Sequence, residues 1–220
     1  HERYPGIEVT VHTEPGKECI LWYNPMITQI VGYPPQHLSL HYEQFDVVYD
    51  FETLPPGEGS MFEHRDLDYV KVYCDYIGVA PSTYTPVYVI HSSEIQQADF
   101  WLDVHGVDVD DRLVAVQVKA SSSLRTWPRS SAFALISKLA RSGHVVVGIT
   151  DWPGEEEQFR RDGWKEYDRV LWTGGRLGIR QVAAVVNRAH LAILPDSAFC
   201  LIAGALGVPM IGLFGAFDGA

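Results

Sequence analysis

Leu191-Ala-Ile-Leu-Pro-Asp-Ser-Ala-Phe-Cys-Leu-Ile-Ala-Gly-Ala-Leu-Gly-Val-Pro-Met-Ile-Gly-Leu-Phe-Gly215 decides the fold. An apolar run, Leu191 to Leu194, reaches Pro195 and then Asp196 and Ser197. A small apolar helix follows, ended by Gly207 and Pro209, before a second apolar run begins at Met210. This pattern predicts a strand, a tight turn, a helix and a second buried strand. In an open parallel sheet such a turn lies at the carboxyl edge, where ligands bind and helix N–H groups are exposed. Asp196 and Ser197 would then meet a ligand. The same two residue types are preferred helix N-caps, so a purely local role stands beside the functional one.

Outward from this stretch the second half repeats the pattern. Leu113–Val118, Val145–Ile149, Val170–Trp172, Leu191–Leu194 and Met210–Phe214 are apolar runs. The helix after Pro128 carries Phe133, Ile136, Leu139 and Ala140, and the one after Gly178 carries Ile179, Val182, Ala183 and Val186. Continuous apolar strands alternating with amphipathic helices predict a parallel sheet covered on both faces.

The first half shows the alternation less cleanly. Ile7–His12, Ile27–Val31, Phe45–Phe51 and Pro86–Ile90 read as strands, and Lys17–Tyr23 and His64–Ile77 as helices. Ser92-Ser93-Glu94 reads as the cap of a further helix. The polar, acidic run Gly106–Asp111 suggests a joint between domains 1–108 and 109–220. The expected class is α/β, with two doubly wound, Rossmann-like domains, the first incomplete at its N-terminus.

The composition narrows the ligand. With 220 residues, 46% hydrophobic and 20% charged, the chain can build one large domain or two small ones with real cores. A formal charge of -11 argues against nucleic acid and against an anionic membrane surface. An anionic ligand would need local cations. Cys19, Cys74 and Cys200 lie far apart in apolar contexts, which predicts reduced thiols and a cytoplasmic setting. No apolar run is long enough to span a bilayer.

Loops after parallel strands share one edge. Lys119-Ala-Ser-Ser-Ser-Leu-Arg-Thr-Trp-Pro128 brings hydroxyls, including Ser122 and Ser123, and the Arg125 guanidinium to a helix start, a combination that suits phosphate. Thr173-Gly-Gly-Arg-Leu177 offers close backbone approach with Arg176 and Leu177. Glu155 and Glu156 could accept from a ribose. Together these loops suit a nucleoside diphosphate. At the end of Phe45–Phe51, Asp50 and Glu52 could meet a substrate hydroxyl, or be solvated strand ends.

The runs 120–128, 173–177 and 195–209, followed by Leu-Phe-Gly-Ala-Phe-Asp (213–218), resemble the heptosyltransferase family, family 9 of the glycosyltransferases. Tyr4–Val9 and Phe45–Asp50 resemble its first domain. The resemblance implies the GT-B fold, a nucleotide-sugar donor on the second domain and a glycan or lipid-linked acceptor, such as lipopolysaccharide core, on the first. It also implies inversion at the transferred carbon with neither metal nor other cofactor, on the cytoplasmic side and at the periphery of the inner membrane. By this resemblance Ser122, Ser123, Arg125, Glu155 or Glu156, Arg176, Leu177, Asp196, Ser197 and Ala198 form the donor site. Arg125 stands where the family usually has Lys, which keeps the charge and adds a fork.

Two positions depart from the pattern. Ala198 replaces a Gly, and Leu201 replaces a His that helps the diphosphate depart. Losing one hydrogen bond to a charged group, typically ~1.5 to 3 kcal/mol, would cost roughly one to two orders of magnitude in rate. The family's general base is expected upstream of His1, with Asp50 a weak substitute. On this reading the segment alone catalyses nothing, while its parent is a transferase. The competing reading is a non-catalytic binding or assembly module that kept the fold.

Other signals carry less. Asp108-Val109-Asp110 precedes a strand instead of ending one, so a solvated acidic turn is favoured over a metal site. The nine histidines show no zinc pattern, and Trp127 and Trp172 suit packing better than base stacking.

Overall fold

The computed structural model describes residues 6–32, 42–51, 69–150, 157, 161 and 169–215. The chain divides into two compact units, His1–Thr85 and Pro86–Ala220.

In the first unit β1 (Thr10–Thr13) runs parallel to β2 (Gln29–Gly32), with Thr10 opposite Gln29. A 3-10 turn at Glu18–Leu21 lies within the crossover. β1 begins later than the alternation from Ile7 suggests, because Val9 is occupied by the incoming chain. Its carbonyl accepts from the amides of Thr28 (2.8 Å) and Gln29 (3.1 Å). Helix α1 covers Tyr69–Tyr76, the described part of the helix expected over 64–77.

Phe45–Phe51 is a correction. It joins no ladder, and Val47, Val48, Tyr49 and Phe51 are exposed. Phe51 instead sets its ring edge-on against Tyr73 and Tyr76 of α1, and Tyr49 meets Tyr76 likewise. β-rich composition describes a side-chain surface that packs well, and here the surface met is a helix.

The second unit is a sheet of five parallel strands: β3 (Leu113–Gln117), β4 (Val145–Ile149), β5 (Val170–Trp172), β6 (Leu191–Pro195) and β7 (Met210–Leu213). Their order is β5-β4-β3-β6-β7. Val114 pairs with Val146 on one side and Leu191 on the other, and Ala192 with Met210. Helices α2 (Ser92–Val104), α3 (Arg129–Arg141), α4 (Ile179–Asn187) and α5 (Ala198–Ala205) cover it.

Strand alternation sorts the core into two layers. Leu113, Ala115, Val147 and Leu194 pack with Ala98 and Leu102 of α2, Val182 and Val186 of α4, and Ile202 of α5. Val114, Val116, Val146 and Ile193 pack with Ala132 and Ile136 of α3. Both faces are therefore buried, as the continuous apolar runs require.

The division at Thr85 falls before α2 because α2 packs on α4. Glu94 Oε1 accepts from Arg180 Nε at 2.5 Å, and Glu94 Oε2 from Arg180 Nη2 at 2.7 Å. The Arg180 side chain is only 7% exposed. Its Nη2 also donates to the Val89 carbonyl at 2.6 Å, and its guanidinium lies 5.2 Å from the Tyr88 ring centre. Pro86–Ile90, expected as a strand, runs without a ladder beneath this clamp. The α2 cap is His91, one residue before the expected serines. Its Nδ1 accepts from the Ser93 amide, while Glu94 accepts from the His91 amide at 2.8 Å.

The acidic run 106–111 lies inside the second unit. Asp111 accepts from the Asp108 amide at 2.9 Å and pairs with Arg169 at the entry to β5. The Asp108 amide, the largest influence, holds the Asp111 carboxyl below its ordinary range against the opposing effect of burial, and the Arg169 guanidinium adds to the amide. Among the described residues no helix is long and apolar enough to cross a membrane.

Candidate functional site

Starting from β3, the chain steps outward one way through β4 and β5 and the other way through β6 and β7. The order reverses between β3 and β6. Loops leaving those neighbours diverge to opposite faces and open a crevice at the carboxyl edge. The two sequences there are Gln117–Pro128 and Asp196–Ala198.

Within the first, Thr126 winds the loop. Its Oγ1 donates toward the carbonyls of Ser122 (2.9 Å) and Ala120 (3.3 Å), and accepts from the Ala120 amide. Ser122 accepts from the Leu124 amide at 3.3 Å and so caps the 3-10 turn Ser123–Arg125. Ser123 is exposed. Arg125 Nη2 donates to Ser121 Oγ at 2.7 Å, and Nη1 to the Asp196 carbonyl at 3.1 Å. The Asp196 carboxylate is 3.8 Å from the same Nη1.

Ser197 is extended (φ -155°, ψ 170°) at the start of α5 and makes no side-chain cap. Its hydroxyl donates to Gln117 Oε1 at 2.6 Å. The local N-cap role is thus replaced by a bond across the crevice, and helix geometry leaves the first α5 amides without intrahelical acceptors. The β7 exit joins the same cluster, since a Cβ at Gly215 would stand 2.6 Å from the Leu124 carbonyl oxygen.

A second pair of loops is joined through Thr150 and Thr173. Thr173 is fully buried. Its Oγ1 accepts from the Thr150 amide (3.0 Å) and donates to the Thr150 carbonyl (3.2 Å), while Thr150 Oγ1 accepts from the Gly174 amide (2.8 Å). Gly174 and Gly175 are both left-handed, with φ 58° and 64°, which explains the paired glycines. Arg176 is exposed beyond them, and Leu177 folds back against the core. By strand spacing, β5 lies about 10 Å from β3 along this edge.

The sequence model of glycosyltransferase family 9 (heptosyltransferase) matches residues 60–219. The chain belongs to this family. A family 9 glycosyl transferase from Veillonella parvula aligns with 96% of this chain and 73% of its own, at TM-score 0.77 and 16% identity. The E. coli ADP-heptose LPS heptosyltransferase II aligns with 96% of this chain and 76% of its own, at 0.65 and 11%. E. coli heptosyltransferase WaaC with ADP aligns with 99% and 80%, at 0.61 and 16%. At such identities the likeness is one of fold, a mixed α/β architecture with parallel sheets of GT-B type. No curated protein matches the chain.

In this family 9 chain, Arg125, Asp196 and Ser197 come together with the Ser122 turn, while Arg176 and Leu177 sit on the neighbouring loop pair. Glu155 and Glu156 lie outside the described residues. Ala198 is exposed on the first turn of α5, and Leu201, one turn on, is 68% exposed. Cys200 is buried against Met210. Burial first, and the Asp196 charge second, push its thiol above the ordinary range, so it is a packing residue and no nucleophile. Asp50 is half-buried in the irregular stretch of the first unit.

Sequence reasoning missed Gln117, Ser121 and Thr150. The available signal for Gln117 is one amide ending an otherwise apolar strand, Leu-Val-Ala-Val-Gln. A hollow of ≈ 460 Å³ lined by Asp110, Arg112, His144 and His190 lies at the opposite, amino edge of the sheet, away from this chemistry.

Proposed function

We propose that the protein carrying this chain is an inverting, metal-independent glycosyltransferase. It moves a sugar from a nucleoside diphosphate donor of the ADP-heptose class to a hydroxyl of a glycan or lipopolysaccharide core, at the cytoplasmic periphery of the inner membrane. The observation that carries the reading is the Arg125–Asp196 bridge at the β3/β6 crevice. It sets a fixed guanidinium, a carboxylate and open helix amides at a switch point. The ADP-heptose of the E. coli heptosyltransferase II and the ADP held by E. coli WaaC support the same choice.

In this mechanism the acceptor oxygen attacks the anomeric carbon from the face opposite the diphosphate. The C–O bond to the diphosphate breaks and its electron pair stays on phosphate, while a base takes the acceptor proton. Arg125, Ser122, Ser123, Ser197 and the first α5 amides offer donors to the growing charge. Arg176, Leu177 and either Glu155 or Glu156 serve the nucleoside, and Asp196 and Ala198 complete the donor site at the start of α5. Asp50 is the first-unit carboxylate to test against the acceptor hydroxyl.

Titration of the intact protein with nucleoside diphosphates, followed by a transfer assay, tests the reading. Saturable binding with turnover supports it, and no binding of any member of the panel removes it. A second reading rests on exposed Leu201, which gives the diphosphate no imidazole. Binding without turnover would favour a non-catalytic module.

A further inference from the structure

Arg112, His144 and His190 each stand one residue before a strand: β3, β4 and β6 respectively. Those strands are neighbours with β3 in the middle, so the register sets the three residues side by side along the amino edge of the sheet. The Arg112 carbonyl accepts from the Val145 amide at 3.0 Å, and the Leu113 carbonyl from the His190 amide at 2.9 Å. With Asp110 they line the hollow of ≈ 460 Å³, whose apolar lining is Val114, Leu139 and Leu191.

The hydrogen bonds assign what each ring still offers. The Leu113 amide donates to His190 Nδ1 at 3.3 Å, so the proton of the neutral ring sits on Nε2, and that nitrogen donates. Ser142 Oγ gives its one proton to the Leu139 carbonyl at 2.8 Å and therefore accepts from His144 Nδ1 at 2.9 Å. His144 Nε2 keeps a lone pair. Asp111 is committed to Arg169, so the fixed charges lining the hollow are Asp110 and Arg112. Among the described residues these two form no ion pair with each other or with a third group. A pure anion would meet the Asp110 carboxylate, and a pure cation the Arg112 guanidinium. A ligand with both charges on an apolar body matches the whole lining.

We infer that this hollow is a second ligand site, for a free α-amino acid with an apolar side chain. The carboxylate of the ligand takes the Arg112 fork and the His190 Nε2 proton, and its ammonium group the Asp110 carboxylate and the His144 lone pair. Its side chain lies against Val114, Leu139 and Leu191. The volume is within the range of small-molecule sites. Five extended residues of β3, about 16 Å, separate this edge from the β3/β6 crevice, and the inference does not rest on the nucleotide-sugar reading.

Calorimetric titration of the intact protein with L-leucine and L-phenylalanine tests it, and saturable binding of at least one is expected. Leucinamide, which lacks the carboxylate, and 4-methylpentanoate, which lacks the ammonium group, should each bind about tenfold more weakly than leucine, the value of one bond to a charged group. Arg112→Gln and Asp110→Asn alter exposed side chains and should each lower leucine affinity about tenfold. Arg112→Gln should also cease to distinguish leucine from leucinamide, and Asp110→Asn leucine from 4-methylpentanoate. Binding of neither amino acid, an analogue that matches leucine on wild type, or wild-type affinity in either variant would overturn the inference. If a variant does not fold, the analogues on wild type decide. The readout uses no nucleotide, so its failure leaves the nucleotide-sugar reading standing, and the reverse holds.

Discussion

Arg125 donates to the main-chain carbonyl of Asp196 at 3.1 Å across a separation of 71 residues. The bond fixes the guanidinium through the Asp196 backbone, while the Asp196 carboxylate, 3.8 Å from the same Nη1, keeps 40% of its side chain exposed. Arg125→Ala should weaken nucleoside diphosphate binding by one to two orders of magnitude, following ~1.5 to 3 kcal/mol for bonds to a charged group. Arg125→Lys should lose less but not recover fully, because one ammonium cannot serve Ser121 and Asp196 in a fixed fork. Calorimetric titration of the three proteins checks this, and equal affinities would remove Arg125 from the site.

The Glu94–Arg180 pair is nearly dry, with side chains 12% and 7% exposed. Glu94→Gln leaves Arg180 buried beside the Val89 carbonyl and the Tyr88 ring with only part of its former partner. The cost should be about 3 kcal/mol, as for other buried pairs broken on one side. Urea unfolding measures it, and a change within the noise of a surface substitution would contradict the clamp.

Acid should act through the same pair. The Arg180 hydrogen bond is the largest influence on the Glu94 carboxyl and holds it below its ordinary 4.5, against burial. The folded chain thus binds that proton more weakly than the unfolded chain. The pair's contribution is complete above the ordinary value and is lost as pH falls through the lower folded value. Stability measured at stepped pH should fall there in wild type and fall less steeply in Glu94→Gln. An identical slope would place the acid loss elsewhere, with Asp111 the next carboxyl to examine.

Gly215 has no room for a side chain toward the Leu124 carbonyl. Gly215→Ala should displace the Ser123–Arg125 turn and weaken diphosphate binding severalfold while the melting temperature moves little. Titration paired with thermal unfolding separates the two effects, and unchanged affinity would show that the turn tolerates the methyl group.

Thr173→Val keeps the shape and removes both bonds to Thr150. Leaving a buried amide and carbonyl short of partners should cost about 1 to 3 kcal/mol. A loss confined to nucleotide affinity, with stability intact, would mean that water replaces the hydroxyl.

The second sheet was legible because Val114, Val116, Val146 and Ile193 are apolar on a face that a helix must cover, and their neighbours are apolar on the other face. Continuous runs leave little choice of partner. Phe45–Phe51 has equal strand propensity but found aromatic neighbours on α1, a tertiary fact no window of sequence contains. At the site, Arg125 and Asp196 were legible from residue type and strand-end position. Gln117 was not, because its bond to Ser197 exists only once β3 and β6 are adjacent, and for the same reason the sequence leaves a ligand role and a local cap both open for Ser197. Arg180 hid within an amphipathic helix, where a cation ordinarily faces water.

The adjacency of β3 and β6 also bears on how the chain folds. The Leu113 amide reaches His190 Nδ1, 77 residues further on, and β6 takes its place beside β3 only after two intervening strands. Pairings of such long range form slowly, since loop-closure entropy is lost before any contact rewards it. During synthesis β3, β4 and β5 leave the ribosome with one flank of β3 open, a surface for chaperones or for misassembly until β6 arrives.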